Sequence, residues 1–99
     1  MMRQKVHVIA SFTVKQESLA GFLEKANTLL VEPGRADTGC IQYELCQSSE
    51  DPCQCAMIEQ WRSMDDLNAH LQSDYIPRAL DTLRSMVSDG PHVTRYYAT

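Results

Sequence analysis

The sequence is poor in the features that mark several common functions. Nine lysines and arginines stand against thirteen aspartates and glutamates, for a net charge of −4, and the basic residues form no cluster. Nucleic acids and anionic membrane surfaces call for a concentrated positive field, so neither is an expected partner. No apolar run approaches the roughly 20 residues that span a bilayer. The N-terminal Met-Met-Arg-Gln-Lys-Val-His passes into an alternating pattern instead of the long apolar segment of a signal peptide, which points to the cytoplasm. Internal repeats, low-complexity tracts and linkers are also missing. The 99 residues are therefore read as one domain, 1–99. A chain this short buries roughly 60–70% of its unfolded surface, so the core is adequate but not generous. A small sheet commonly completes its burial by dimerising.

Metal-site spacing is lacking too. A four-cysteine zinc site generally uses two C-x2-C-like knuckles, whereas the only close pair here is Cys53-x-Cys55. No metal is therefore expected. Cys40 and Cys46 lie on one predicted strand and Cys53 and Cys55 on the next, so a hairpin would bring Cys46 near Cys53. In a cytoplasm such pairs stay reduced, and the thiols are read mainly as small core residues.

What the sequence does contain is concentrated in Ala56–Leu71. Its first half is rich in β-branched, sulfur-containing and aromatic residues and reads as a strand; its second half reads as a helix. Ser63 and Asp66 sit three apart, an acidic variant of the capping box, where the hydroxyl accepts from a free first-turn amide and the carboxylate meets the helix dipole. Leu67, His70 and Leu71 fall at i, i+3 and i+4, which places an imidazole on the inward face of the helix. Glu59 and Trp61 share one face of the preceding strand. A carboxylate, an indole and an imidazole are thus expected around one interior.

The rest of the chain supplies the frame. Lys5 to Val14 alternates, with Val6, Val8, Ala10, Phe12 and Val14 on one face and His7, Ile9, Ser11 and Thr13 on the other. His7 is read as an exposed or interface histidine. Leu19, Phe22, Leu23, Ala26, Leu29 and Leu30 recur at helical spacing after Ser18, and Pro33-Gly34 is expected to end that helix, with Arg35 to Gly39 a loop. Cys40–Gln47 and Cys53–Arg62 read as a hairpin around Ser48–Pro52. Tyr43 is placed with Glu59 and Trp61 on the inner face, either as a core tyrosine or as part of a site. The second helix is expected to break near Ser73-Asp74 and resume with Pro77 in its first turn, carrying Leu80, Leu83, Met86 and Val87. Asp89-Gly90-Pro91 stops it, and His92–Tyr97 is the last strand. The order strand, helix, strand, strand, helix, strand is the split βαβ pattern of the ferredoxin-like α+β fold: an antiparallel sheet with two helices on one face. The other face is bare in a monomer and argues for a homodimer through the sheet.

Met57-Ile58-Glu59-Gln60-Trp61, followed by Ser63, Leu67 and Ala69-His70-Leu71-Gln72-Ser73, resembles the antibiotic biosynthesis monooxygenase family, and most of all its small bacterial quinol monooxygenase branch. Glu32-Pro33-Gly34-Arg35 and Gly39-Cys40-Ile41-Gln42-Tyr43-Glu44-Leu45 fit the same pattern, so the resemblance runs from about Val6 to Tyr96. It implies a dimeric α+β barrel whose subunits each hold a cavity between sheet and helices. It also implies oxygenation of quinols, anthrones or related electron-rich aromatics by O2, with no flavin, heme or metal cofactor, because the deprotonated substrate is itself the reductant. Such a site requires an apolar pocket, a proton acceptor and donors near the developing negative charge. On that resemblance His70 is the base or proton shuttle and Glu59 orients and charge-stabilises it. Trp61 is a flat wall for the aromatic substrate, and Tyr43 hydrogen-bonds a substrate oxygen. The heme-degrading branch differs: it expects an asparagine, a tryptophan and a histidine where this chain has Ala10, His70 and Leu80, and Leu80 cannot ligate iron. The indole favours a flat ligand over the sugars of a further branch.

Two other readings remain open on the residues. A histidine between leucines, paired with a glutamate, can simply fasten helix to sheet. The whole chain can equally be a non-catalytic dimeric barrel that binds a small apolar ligand or acts in stress response, and an isomerase would turn over without oxygen. The substrate, and any redox role of Cys53 and Cys55 beside a thiol-reactive quinone, are not legible.

Overall fold

Alternating valines at the start of the chain form strand β1 (Val6–Val14), the centre of the sheet, in a computed structural model that describes residues 4–99. Residues 1–3, the start of the segment read against a signal peptide, lie outside it. Helix α1 (Leu19–Ala26), a widened helical turn (Asn27–Val31) and helix α2 (Glu32–Ala36) follow. Next come β2 (Cys40–Gln47), β3 (Gln54–Trp61), α3 (Met64–Leu71), α4 (Tyr75–Leu83) and β4 (Val87–Tyr97). All strand pairings are antiparallel, in the order β2-β3-β1-β4. This is the expected ferredoxin-like α+β arrangement. Among the described residues no helix is long and apolar enough to cross a membrane.

Register decides which side chains meet. β1 and β3 pair Val6 with Trp61, Val8 with Glu59, Ala10 with Met57 and Phe12 with Cys55, so the valine face of β1 carries the Glu59–Trp61 face of β3 into the core. The helices cover this face with Phe22, Ala26, Leu30, Val31, Leu67, Ala79 and Leu83. Trp61 is wholly buried. At roughly 25 cal/mol per Å², a ring of that size contributes on the order of 4–6 kcal/mol of transfer free energy. The hairpin register sets Cys46 against Ala56 and Gln47 against Cys55, so Cys46 is on the outer face and Cys55 in the core; all four cysteines are free thiols.

Two boundaries differ from the sequence reading. Pro33-Gly34 does not end the first helix. The turn Asn27–Val31 widens to i→i+5 geometry, Asn27 Nδ2 donates to the Leu23 carbonyl at 2.8 Å, and Pro33 enters as a first-turn residue of α2. Gly34 is then needed for close approach, because a Cβ there would lie 2.9 Å from the Tyr43 ring. The second difference is at β4, which begins at Val87 instead of His92. Val14 pairs with Val87, and the Lys15 amide donates to the Met86 carbonyl at 2.8 Å, drawing the chain into the sheet before Asp89-Gly90-Pro91. That tripeptide lies where the β1–β4 register shifts, so it is absorbed as an irregularity instead of stopping the chain. The break between α3 and α4 falls where the sequence placed it, with Pro77 in the first turn of α4.

Gly34→Ala therefore destabilises the fold despite the higher helix propensity of alanine, because the methyl group overpacks Tyr43. The expected loss is about 1–3 kcal/mol, read as a lower midpoint in urea unfolding with an unchanged slope.

Candidate active site

The polar centre is built at the junction of β3 and α3. Ser63 caps α3 as its spacing predicted: the Asp66 amide donates to Ser63 Oγ at 3.2 Å, and the Ser63 hydroxyl donates to Asp66 Oδ2 at 3.1 Å. Asp66 also accepts from Arg62 Nε at 2.9 Å. Gly39, at φ +82°, turns the chain into β2 where a side chain would collide with Asp66, and its carbonyl accepts from the Arg62 amide at 2.8 Å. With α3 so aimed, Leu67 and His70 face inward, while Leu71 sits at the edge.

Beneath this junction lies a cavity of about 610 Å³, within the usual range of small-molecule sites. Its walls are mostly apolar, among them Val8, Phe12, Phe22, Leu30, Met57 and Leu83. Tyr43, Glu59 and His70 form one polar end, and Arg95 of the edge strand β4 lies nearby. Ala10 and Leu80 also line the cavity and present no metal-ligating group to it.

Three of the four expected site residues thus share the cavity, and the fourth does not reach it. Trp61 lies behind the polar end. Its ring stacks on His70 with centroids 4.5 Å apart and 33° between planes, and it meets the edge of Tyr43 at 6.3 Å. The indole is the back wall of the histidine, not a surface for a ligand, because β3 delivers it to the end of the sheet where α3 closes over it.

The partner of His70 also differs. Glu59 does not bond the imidazole; Glu59 Oε1 accepts from Trp61 Nε1 at 2.9 Å, as two side chains two apart on one strand face can arrange. His70 Nδ1 lies 2.7 Å from Asp37 Oδ2 and 2.9 Å from the Tyr75 hydroxyl, which itself donates to Asp37 Oδ2 at 2.5 Å. Asp37 fell in the stretch read only as a loop, and Tyr75 carried no reading. Asp37 lies 33 residues from His70 and 38 from Tyr75, and the five-residue step from His70 to Tyr75 matches neither a helix nor a strand period.

Electrostatics separate the roles. Burial pushes the Glu59 carboxyl up from its ordinary value, and the indole hydrogen bond, His70 and Arg95 pull it partly back. Burial, then Glu59, pushes Tyr43 well up, so its phenol stays protonated. Its hydroxyl has no hydrogen-bond partner among the described residues, which leaves a donor at the polar end. Burial first, then the Asp37 hydrogen bond, holds Tyr75 protonated as well.

Because the folded protein favours protonated Glu59, stability at this residue is greatest below the ordinary glutamate value of 4.5 and falls as pH rises through the folded value. Glu59→Gln keeps an acceptor for the indole and removes the buried charge. The variant is therefore expected to melt ~2–5 °C above the wild type at pH 7, with the gain shrinking as pH is lowered toward 4 in paired thermal scans.

The chain resembles proteins of known structure over nearly its full length. A conserved protein from Methanosarcina mazei is 25% identical with a TM-score of 0.90, covering 97% of this chain and 94% of that one. A Pseudomonas aeruginosa protein is 25% identical with a TM-score of 0.85, covering 100% and 98%. A candidate antibiotic biosynthesis monooxygenase from Nitrosomonas europaea shares the fold at 18% identity, with a TM-score of 0.87 and coverage of 99% and 93%. No functionally curated protein matches. The antibiotic biosynthesis monooxygenase family model matches residues 5–82, most of the chain and all of the polar centre, and the protein belongs to that family.

Proposed function

We propose that the protein is a cofactor-independent monooxygenase that oxidises a quinol or similar electron-rich aromatic with O2. Family membership supports a monooxygenase-type role. The observation that carries the finer reading is the cavity itself: an apolar body for a flat ring, closed at one end by His70, Glu59 and Tyr43. His70 takes a proton from a substrate hydroxyl, and Tyr43 donates toward the oxygen left negative. Glu59, whose carboxyl burial has pushed up, exchanges the second proton. The quinolate is the reductant. One oxygen atom enters the ring, the other leaves as water, and the substrate supplies all four electrons; flavin, heme and metal have no part. The apolar walls also suit a protein that only binds a small ligand, and oxygen consumption separates the two.

The active form in this reading is a cytoplasmic homodimer joined through the outer sheet face. There Ile9 lies between Ile58 and Thr94, and His7 between Gln60 and Tyr96. Ile9, Ile58 and Tyr96 are all exposed in the single chain. An apolar row of this kind on a mid-sheet surface is the signature of a covered face.

Purified, chelator-treated protein is expected to consume oxygen above the autoxidation rate with at least one member of a panel of reduced quinols and anthrones. His70→Gln, shown to be folded, is expected to lose that rate by ~100-fold or more. No uptake with any substrate, alongside saturable ligand binding, would favour the binding protein. Separately, Ile9→Lys is expected to shift the sedimentation coefficient from dimer to monomer. An unchanged coefficient would move the interface elsewhere.

A further inference from the structure

We propose that Asp37 is the positioning residue of a proton relay that joins the cavity to the surface through His70, with Tyr75 as its clamp. The proposal rests on His70 as the proton acceptor in the preceding reading.

The imidazole is a partition. His70 lines the large cavity, and it also lines a separate cleft of about 150 Å³ with Asp37, Thr38, Asp66, Ala69 and Ser73. Asp37 lines only the outer cleft, and its side chain is 25% exposed against 2% for His70. A carboxylate has no hydrogen to offer, so the 2.7 Å contact places the hydrogen on His70 Nδ1. The single Tyr75 hydroxyl hydrogen is directed to the same carboxylate oxygen, leaving its oxygen to share the Nδ1 hydrogen. His70 Nε2 is then the lone-pair nitrogen, and no hydrogen bond occupies it among the described residues. Trp61, stacked on the ring face, opposes rotation of the imidazole, so the two nitrogens keep their separate environments.

The proton balance is simple. Nε2 takes a proton from substrate, and the imidazolium is held by the Asp37 carboxylate. The Nδ1 proton passes to Asp37 Oδ2, and the partly exposed carboxyl releases it to water in the outer cleft. The reset runs in reverse: Nε2 gives its proton to the departing oxygen, and Nδ1 takes one back through Asp37. No electrons move in either direction. An aspartate that merely anchored the helix would accept from Nδ1 equally well; what a relay needs besides is the opening of Asp37 to the outer cleft.

Two measurements test this. The first uses ¹⁵N spectra of the histidine ring in resting protein near pH 8, with the His70 signals assigned by their loss in His70→Gln. Protonated Nδ1 and unprotonated Nε2 are expected; the opposite tautomer overturns the relay whether or not turnover is found. The second uses whichever quinol drives oxygen uptake. Asp37→Asn is expected to lower kcat by roughly 100-fold while KM stays within about twofold. Asp37→Ala shows the same loss, and formate, small enough for the vacated cleft, restores rate in a concentration-dependent way. Full kcat in Asp37→Asn, or a folded Asp37→Ala blind to formate, overturns the proposal. If the alanine variant does not fold, the asparagine variant and the wild-type spectrum decide. Absence of uptake in the wild type overturns the oxygenase reading and the substrate end of the relay, and the ring spectrum still decides the Asp37 end.

Discussion

A buried Nδ1–H left without an acceptor costs about 1–3 kcal/mol, and the rest of the site follows from how this chain supplies that acceptor. His70 is only 3% exposed. Its match comes from Asp37 and Tyr75, which tie the end of α2 and the start of α4 to α3. Asp37 is at hand because the first helix continues past Pro33-Gly34 and ends there. That continuation requires the widened turn before Pro33 and the bare Gly34 under Tyr43. Gly39 then turns the chain into β2, and the same β2 delivers Tyr43 to the edge of the imidazole, ring centroids 5.4 Å apart.

The sheet contributes the opposite half. Period-two alternation gives β3 an inward Met57, Glu59 and Trp61, and pairing with β1 fixes them against Ala10, Val8 and Val6. Glu59 and Trp61 satisfy each other, which frees the histidine for its acidic partner on the other side. The cavity thereby acquires an asymmetric polar end: a carboxyl raised by burial and a phenol held neutral face inward with the imidazole, and a second carboxylate sits behind it, toward solvent. The two carboxyl groups thus sit in different surroundings: Glu59 is buried against the indole and pushed up, and Asp37 faces the outer cleft. β4 is the edge strand, and it brings Arg95, paired with Val8 beside Glu59, to the polar end of the cavity.

Much of this frame was legible in the residues. The alternation of Val6–Val14, the Ser63/Asp66 cap, the helix break before Tyr75 and the inward set Tyr43, Glu59 and His70 all follow from local periods and capping chemistry. The misplaced boundaries have a common cause. Proline and glycine were read as punctuation at 33–34 and 89–91, and in both places the surrounding contacts supply geometry that tolerates them: a widened helical turn in one case and a shifted strand register in the other.

Local sequence thus determined which residues face the interior, because side-chain direction depends only on the strand and helix periods. It also determined that a histidine would be buried in α3, since Leu67 and His70 share one helical face. Partnership was decided by the tertiary structure alone. Glu59 was the near candidate for His70, and it went to the indole beside it; Asp37, 33 residues away, came to the histidine. Hydrogen bonds depend on distance in space to within a few tenths of an ångström, and no pattern along the chain carries that distance across the β2–β3 hairpin that separates the two.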